Sequence, residues 1–251
     1  MWEAPHRGRP RYPPARVPRG RLPMILNPAG APTFPDPLRA DARGLVAAGG
    51  ALTPEWLLTA YERGIFPWYD DDMPPLWWSP DPRAVIDPES LHISRSMRRF
   101  FRSTDLTLSF DRAFAEVMRA CGEDREDGTW ILPEMLDAYV RLYELGHAHS
   151  VEVWRGSELV GGLYGVQRGA LFAAESMFHR ETNASKLALV SAVQTLFAAG
   201  TTLFDVQFLT PHLASLGTYT IRRAEYLARL NAATARGVSL APLRGPLALP
   251  A

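Results

Sequence analysis

Two acidic side chains and one amide within apolar segments are the residues of this chain best suited to chemistry. Asp205 and Gln207 lie two positions apart in TLFDVQFL, and Glu175 lies in ALFAAESMF. In a strand, side chains two positions apart point to the same face. Buried polar groups need partners or a cavity. The three residues therefore form either hydrogen-bonded structural pairs or the polar centre of a site that handles protons.

Two further groups of residues could bind nucleic acid. Four arginines recur at helical spacing in SRSMRRFFRS, and one cationic helix face would suit phosphates, or would simply be solvated. They are Arg95, Arg98, Arg99 and Arg102. Four tryptophans in polar or proline-rich contexts could stack a base or belong to a core. They are Trp68, Trp77, Trp78 and Trp130.

Metal and nucleotide signatures are missing from the sequence. His147 and His149 have no third ligand nearby, and neither a GxxxxGK[ST] nor a GxGxxG motif occurs. The single cysteine, Cys121, cannot form an internal disulfide, and the first twenty residues lack the apolar stretch of a secretion signal. No apolar run approaches the roughly 18 residues of a membrane span. We therefore expect a cytoplasmic protein without metal, cofactor or membrane partner.

Helix and strand signals alternate along most of the 251 residues, which predicts a mixed α/β fold. The spacing and capping residues predict helices over 53–63, 133–145, 183–200 and 222–236, with another around 114–121. Asn183 is expected to cap the helix over 183–200. Segments 150–154, 159–166 and 170–178 are expected to form an antiparallel meander, and TLFDVQFL a buried strand.

The chain divides into three parts. Residues 1–23 hold six arginines, six prolines and one acidic residue, so we expect a disordered basic tail. Ordered structure is expected to begin near Leu45. The prolines of 74–82 suggest a hinge or boundary, which predicts a small N-terminal domain over 24–81 and a larger domain over 82–251.

Ten motifs that follow one another along the chain resemble those of the leucyl/phenylalanyl-tRNA–protein transferase family, and the resemblance extends from about residue 44 to residue 230. They are YERGIFPWY, WWSPDPRAV, LHISRSMRR, DREDGTWI, LGHAHSVEVW, LVGGLYGV, ESMF, NASK, DVQ and HLASLG. The chain departs from the family pattern at Ala51, where Asp is usual, at His179, where Ser is common, and in its basic tail. The resemblance implies a GNAT-like acyltransferase domain after the small N-terminal domain.

The resemblance also implies an activity. Leucine or phenylalanine, and less well methionine, would move from aminoacyl-tRNA to the N-terminal Arg or Lys of a protein, marking that protein for degradation. Aminoacyl-tRNA is then a co-substrate rather than a cofactor, and we expect a monomer. Because the tRNA ester is already activated, no ATP site is needed.

The resemblance assigns roles to particular residues. Asp205, Gln207 and Glu175 match the catalytic centre, and the four arginines match the tRNA-backbone contacts. The terminal adenine of tRNA would be held by Trp68 and Trp130. The aminoacyl side chain would lie among Leu163, Met177, Leu189, Phe204 and Val206.

Two versions of the chemistry remain open. In the family proposal the aspartate supports the glutamine in a relay. Because a glutamine amide is a very weak base, we prefer the other version, in which Gln207 orients the attacking amine and Asp205 stabilises its developing positive charge. An acetyl-CoA-dependent transferase is a rival reading, but no [RQ]xxGx[GA] turn occurs. A binding module without chemistry is another, although it would be expected to lose Asp205 or Gln207.

Overall fold

The structure of the protein is a computed structural model, and it describes residues 24–71, 73–123 and 131–250. The predicted basic tail over 1–23 and the predicted adenine contact Trp130 lie outside the described residues. The other residues assigned from the sequence to a catalytic or binding role lie within them.

A small four-stranded sheet forms the N-terminal part of the fold. In the order β1-β2-β4-β3, its strands are β1 (Met24–Leu26), β2 (Leu45–Gly49), β3 (Phe66–Pro67) and β4 (Leu76–Trp78). A 3₁₀ helix (Pro37–Arg39) and helix α1 (Pro54–Glu62) connect them. The expectation that order begins near Leu45 is wrong, because β1 pairs in parallel with β2. The segment MIL of β1 is too short for its sequence to indicate that it pairs with β2.

An eight-stranded sheet forms the rest of the fold, in the order β11-β5-β10-β9-β8-β7-β6-β12. Its strands are β5 (Arg83–Ile86), β6 (Thr107–Phe110), β7 (Ala148–Arg155), β8 (Glu158–Arg168), β9 (Leu171–His179), β10 (Leu203–Gln207), β11 (Tyr219–Ile221) and β12 (Gly245–Leu247). Strands β7, β8 and β9 form the predicted antiparallel meander. Strand β10 runs parallel to β9, while its other neighbour, β5, is antiparallel.

Helices cover the large sheet and connect its strands. They are α2 (Arg95–Ser103), α3 (Phe114–Gly122), α4 (Pro133–Glu144), α5 (Ala184–Ala198), α6 (Pro211–Ser215) and α7 (Arg223–Thr234), followed by a 3₁₀ helix (Ala241–Leu243). The parallel pair β9 and β10 needs a crossover connection, which α5 provides. The expectation that Asn183 caps α5 with its side chain is wrong: Asn183 has a φ of 68° and makes no capping bond.

The predicted mixed α/β class is confirmed: a small four-stranded sheet precedes an eight-stranded sheet that helices cover. One hydrophobic core contains residues of both sheets, such as Trp77 from β4 and Tyr164 from β8, together with α1, α3 and α4. A second core, which includes Leu163, lies on the opposite face of the large sheet with α2 and α5. The domain boundary near residue 81 stays a prediction; the chain passes from β4 to β5 there.

Candidate active site

The carboxylate of Asp205 is buried and held by three residues. Arg83 donates from Nε to Oδ1 at 2.8 Å and from Nη2 to Oδ2 at 2.6 Å. The hydroxyl of Tyr226 donates to Oδ2 at 2.8 Å, and the backbone N–H of Gln207 donates to Oδ1 at 2.9 Å. The side chain of Asp205 is 0% exposed, so its charge is balanced inside the fold by Arg83.

Arg83 was not recognised as a site residue from the sequence. Its guanidinium lies over the rings of Phe66, at 4.8 Å, and Tyr226, at 4.5 Å, and Nη1 donates to the carbonyl of Gly64 at 3.1 Å. Burial is the largest single influence and lowers the pKa of Arg83, but the charge and hydrogen bonds of Asp205, together with the charges of Tyr226 and Glu175, outweigh burial and raise the pKa above its ordinary value. The only local signal was a charged residue directly before the apolar segment AVI.

Gln207 joins this ion pair to Glu175. Its side-chain Nε2 lies 3.2 Å from Oε1 of Glu175 and donates to it. The backbone of Gln207 has a φ of 57°, and the register between β10 and β5 shifts between Asp205 and Gln207. A bulge of this kind re-aims a side chain. The structure thus brings Asp205, Gln207 and Glu175 together, although regular strand alternation alone does not place the glutamine.

Glu175 lies in a pocket of phenol groups that the sequence did not indicate. Tyr139 donates to Oε2 at 3.5 Å, and the hydroxyls of Tyr139 and Tyr61 lie 2.5 Å apart. Burial raises the pKa of Glu175 to about 8, and the charge of Asp205 adds to this effect. Hydrogen bonds from both tyrosines and the charge of Arg83 act in the opposite direction.

An apolar cavity lies beside this polar centre. Its lining includes four of the five residues predicted for the aminoacyl pocket, and the full set is Leu163, Ala174, Ser176, Met177, Leu189, Val206 and Leu213. Phe204 does not line it but belongs to the same core. Ser176 is a polar wall residue that the sequence analysis did not include. The cavity measures about 10 Å³, roughly the space of one water molecule.

The cavity and the polar centre meet where β9 and β10 separate. The parallel ladder consists of three pairs and ends at Asp205 and Ala173. Beyond this point Ala174 and Val206 line the cavity, whereas Glu175 and Gln207 bind each other. A group that entered between the strand ends would therefore have an apolar cavity on one side and a carboxyl–amide pair on the other.

The tryptophans divide into a half-buried residue at the site and two in the core. Trp68 is half-buried, and its ring lies 5.4 Å from that of Phe208, the residue after Gln207. Trp77 and Trp78 are buried, so neither has a face free to stack a base. Of the residues predicted to hold adenine, the structure therefore places Trp68 beside the polar centre.

The four predicted arginines form one exposed face of α2, as their spacing indicated. Met97 and Phe101 bury the opposite face in the same core as the apolar cavity. Among the described residues, the arginines of this face have no ion-pair partner, and we refer to Arg95, Arg98, Arg99 and Arg102 as the cationic face. A face of this kind can bind phosphates without distinguishing bases.

A larger cavity, of about 420 Å³, lies elsewhere, between the β8–β9 turn and the C-terminal end of α7, and contains none of the predicted site residues. At its wall, His149 binds Asp111 through Nδ1 at 2.7 Å and Gln167 through Nε2 at 3.0 Å. In the described part of the chain, no group of three or more His, Cys, Asp or Glu side chains could hold a metal ion. None of the helices described is long and apolar enough to cross a membrane.

Comparison with known proteins assigns the chain to a family. The family model for leucyl/phenylalanyl-tRNA protein transferase matches residues 85–231, and the model for the N-terminal domain of that family matches residues 50–81. The leucyl/phenylalanyl-tRNA–protein transferase of Shigella dysenteriae serotype 1 is 54% identical over 200 residues, which cover 79% of this chain and 86% of that protein. The protein of the same name from Escherichia coli strain K12 / DH10B has the same identity and coverage.

A solved structure of a GCN5-related N-acetyltransferase-like protein from Streptococcus suis is 13% identical to the chain. It covers 68% of this chain and 66% of its own, with a TM-score of 0.32. The family assignment rests on the sequence identity and on the two family models, whose matched residues include Glu175, Asp205 and Gln207. The chain therefore belongs to the leucyl/phenylalanyl-tRNA protein transferase family of aminoacyltransferases.

Proposed function

We propose that the protein transfers leucine or phenylalanine, and less well methionine, from aminoacyl-tRNA to the N-terminal Arg or Lys of acceptor proteins. The product carries a new peptide bond and an N-terminal degradation signal. The observation that carries this proposal is the paired Glu175 and Gln207 beside an apolar cavity, at the point where β9 and β10 separate. The apolar cavity suits an uncharged amino-acid side chain, and the Glu175–Gln207 pair suits an amine.

The cavity is the proposed place for the aminoacyl side chain. At about 10 Å³ it is too small for leucine, so the lining side chains must move when the donor binds. Met177 is the lining residue best suited to this, because methionine is unbranched and adapts to differently shaped neighbours. Such a wall favours apolar side chains by volume and provides little discrimination between leucine and phenylalanine.

Glu175 is the proposed proton acceptor for the attacking amine. An N-terminal ammonium group has an ordinary pKa of ~7.7 to 8.0, and the pKa of Glu175 is raised to about 8. Proton exchange between groups with matched pKa values costs little, and a catalytic pKa near the working pH is the favourable case. The carboxylate would take the proton while Gln207 orients the nitrogen.

The bond changes of the proposed step are balanced without a further reactant. The amine nitrogen forms a bond to the ester carbonyl carbon, and the bond from that carbon to the terminal ribose oxygen breaks. An ammonium group first releases one proton to solvent; the second proton, which the nitrogen loses as the new bond forms, passes to Glu175 and then to the leaving ribose oxygen. Because the ester supplies the driving force, we propose that neither ATP nor a metal or cofactor takes part.

Asp205 has a supporting role in this proposal. Its two oxygens already accept bonds from Arg83, Tyr226 and the backbone of Gln207. These contacts favour the version of the chemistry in which the aspartate supports the glutamine over one in which it contacts the amine.

The tRNA would lie across both parts of the fold. Trp68 would stack on the terminal adenine, with Trp130 as the second contact that the family resemblance implies. The cationic face on α2 would bind the tRNA backbone, and its exposure and lack of ion-pair partners in the described residues support this role. We propose that the protein acts as a monomer in the cytoplasm, where charged tRNA is available.

A transfer assay tests the proposal. Radiolabelled leucyl-tRNA is mixed with a peptide that begins with arginine, in the presence of a metal chelator and without ATP or coenzyme A. Label should enter the peptide, and a peptide beginning with an acetylated arginine is the matched control. Dependence on acetyl-CoA would favour the rival acyltransferase, whereas tight tRNA binding without transfer would favour a binding module.

A further inference from the structure

We infer that Arg83 is a positioning residue of the transfer reaction, which acts through Asp205 on the backbone of Gln207. This inference rests on the proposed function and adds a residue that was not assigned a role from the sequence. Arg83 is expected to touch neither tRNA nor acceptor.

The first argument is the completeness of the contacts around Arg83. Three of its nitrogens donate to acceptors that lie on separate parts of the chain: Nε and Nη2 to Asp205 on β10, and Nη1 to the carbonyl of Gly64 after α1. The side chain is 1% exposed. A buried arginine that forms a planar, two-bond contact fixes both the position and the rotation of the carboxylate.

The second argument is the backbone of Gln207. Its φ of 57° lies in the left-handed region, which residues other than glycine rarely adopt. The bond from its N–H to Oδ1 of Asp205 is formed in this conformation, and the same conformation directs the amide to Glu175. Rotation of the Asp205 carboxylate would weaken that bond, so the orientation of the amide depends on Arg83.

The third argument is the connection to the proposed adenine contact. Arg83 lies over the ring of Phe66, and Phe66 packs edge to face against Phe208 at 5.9 Å. Phe208 also contacts Trp68. Arg83 thus links the β3 segment, where the donor adenine would bind, to the strand that presents Gln207. We therefore infer that Arg83 sets the distance between the proposed adenine contact, Trp68, and the side chain of Gln207.

The test begins with Arg83→Lys, which keeps the charge and loses the two-bond contact. We expect kcat for leucyl transfer to fall about 100-fold, a loss typical of misplaced catalytic groups, while the Kd for leucyl-tRNA changes less than about twofold. The matched control is Arg223→Lys. Arg223, the first residue of α7, is also a buried arginine and donates to the carbonyls of Pro37 and Ser79 in the N-terminal part of the fold, but it does not contact Asp205. Its kcat should stay near that of the wild type.

A double-mutant cycle separates positioning from general structural support. If Arg83 acts through Gln207, then Arg83→Lys should cause little further loss of kcat in a Gln207→Ala background. Tyr226→Phe provides a milder variant in case Arg83→Lys does not fold. It removes one hydrogen bond to Asp205, and we expect kcat to fall two- to tenfold. In the Gln207→Ala background the same substitution should cause little further loss of kcat.

Three outcomes would overturn the inference. The first is that the losses of kcat caused by Arg83→Lys and Gln207→Ala are additive in the cycle. The second is that Arg83→Lys weakens tRNA binding by the same factor as it lowers kcat. The third is that Arg223→Lys lowers kcat as much as Arg83→Lys does. Wild-type protein is assayed in parallel. If it does not transfer leucine at all, the proposed function fails; if it does and the losses are additive, only the positioning role of Arg83 fails.

Discussion

The side-chain nitrogen of Gln207 lies 3.2 Å from Oε1 of Glu175, so an amide from β10 and a carboxyl from β9 form one pair across the gap between two parallel strands. This pair leaves the Glu175 carboxyl with a nitrogen donor on one side and phenol donors on the other. An incoming amine that displaces the amide would find an acceptor already in place.

The pH dependence of transfer tests the role of Glu175. The proposed base must be ionised, and its pKa is raised to about 8, so kcat should rise with pH through about 8 and level off above it. Glu175→Gln should lower kcat by about 10²- to 10⁴-fold, the usual range for a lost general base. The measurement is kcat from pH 6 to 9 at saturating acceptor. If kcat of Glu175→Gln still rises with pH as fully as that of the wild type, the rise reports deprotonation of the acceptor amine and not of Glu175.

The stability of the protein should also depend on Glu175. A carboxyl whose pKa is raised from 4.5 to about 8 by burial holds its proton more tightly in the folded than in the unfolded state. Its contribution is complete below about pH 4.5 and is lost as pH rises towards 8. Between pH 5 and 8 the wild type should lose on the order of 3 kcal/mol of unfolding free energy relative to Glu175→Gln.

Urea unfolding of both proteins at pH 5, 6.5 and 8 measures this difference. Glu158→Gln, at an exposed glutamate at the start of β8, is the control and should follow the wild type at each pH. A constant difference between the wild type and Glu175→Gln across the three pH values would mean that the carboxyl does not titrate in this window.

The apolar cavity predicts a specificity change. Leu163 lines the cavity, and replacing it with Phe fills space that an aromatic substrate ring needs. Overpacking of this kind typically costs about 1 to 3 kcal/mol. Phenylalanine transfer should therefore fall more than leucine transfer. The measured quantity is the ratio of kcat/KM for the two aminoacyl-tRNAs with one acceptor peptide; an unchanged ratio would remove Leu163 from the side-chain pocket.

The cationic face predicts a change in salt dependence. Replacing Arg95, Arg98, Arg99 and Arg102 with Ala should weaken tRNA binding and reduce the slope of log K against log salt by about 3, if each contacts a phosphate. The control removes the same charge from four exposed arginines on other elements, Arg39, Arg119, Arg222 and Arg236. The control should keep most of the wild-type slope, and equal slopes in both variants would leave α2 without a specific role.

Local patterns in the sequence were sufficient for much of the architecture. Helical spacing, glycine stops and strand alternation predicted α1, α3, α4, α5, α7 and the meander, because these features depend on neighbours within a few positions. The family motifs pointed to Asp205, Gln207 and Glu175, and the structure brings their side chains together. The spacing of the arginines on α2 likewise depends only on helix geometry.

Tertiary structure decided what surrounds those residues. Arg83 and Asp205 are 122 positions apart, and Tyr139 and Glu175 are 36 apart, so no local pattern could pair them. The left-handed backbone of Gln207 likewise depends on an aspartate that Arg83 holds. The sequence by itself determined which groups could do chemistry. Only the packing of the folded chain determined that Arg83 neutralises the carboxylate of Asp205, whereas the carboxyl of Glu175 is buried without an ion-pair partner among the described residues. Burial and charge pairing are properties of the folded chain and not of a local sequence pattern.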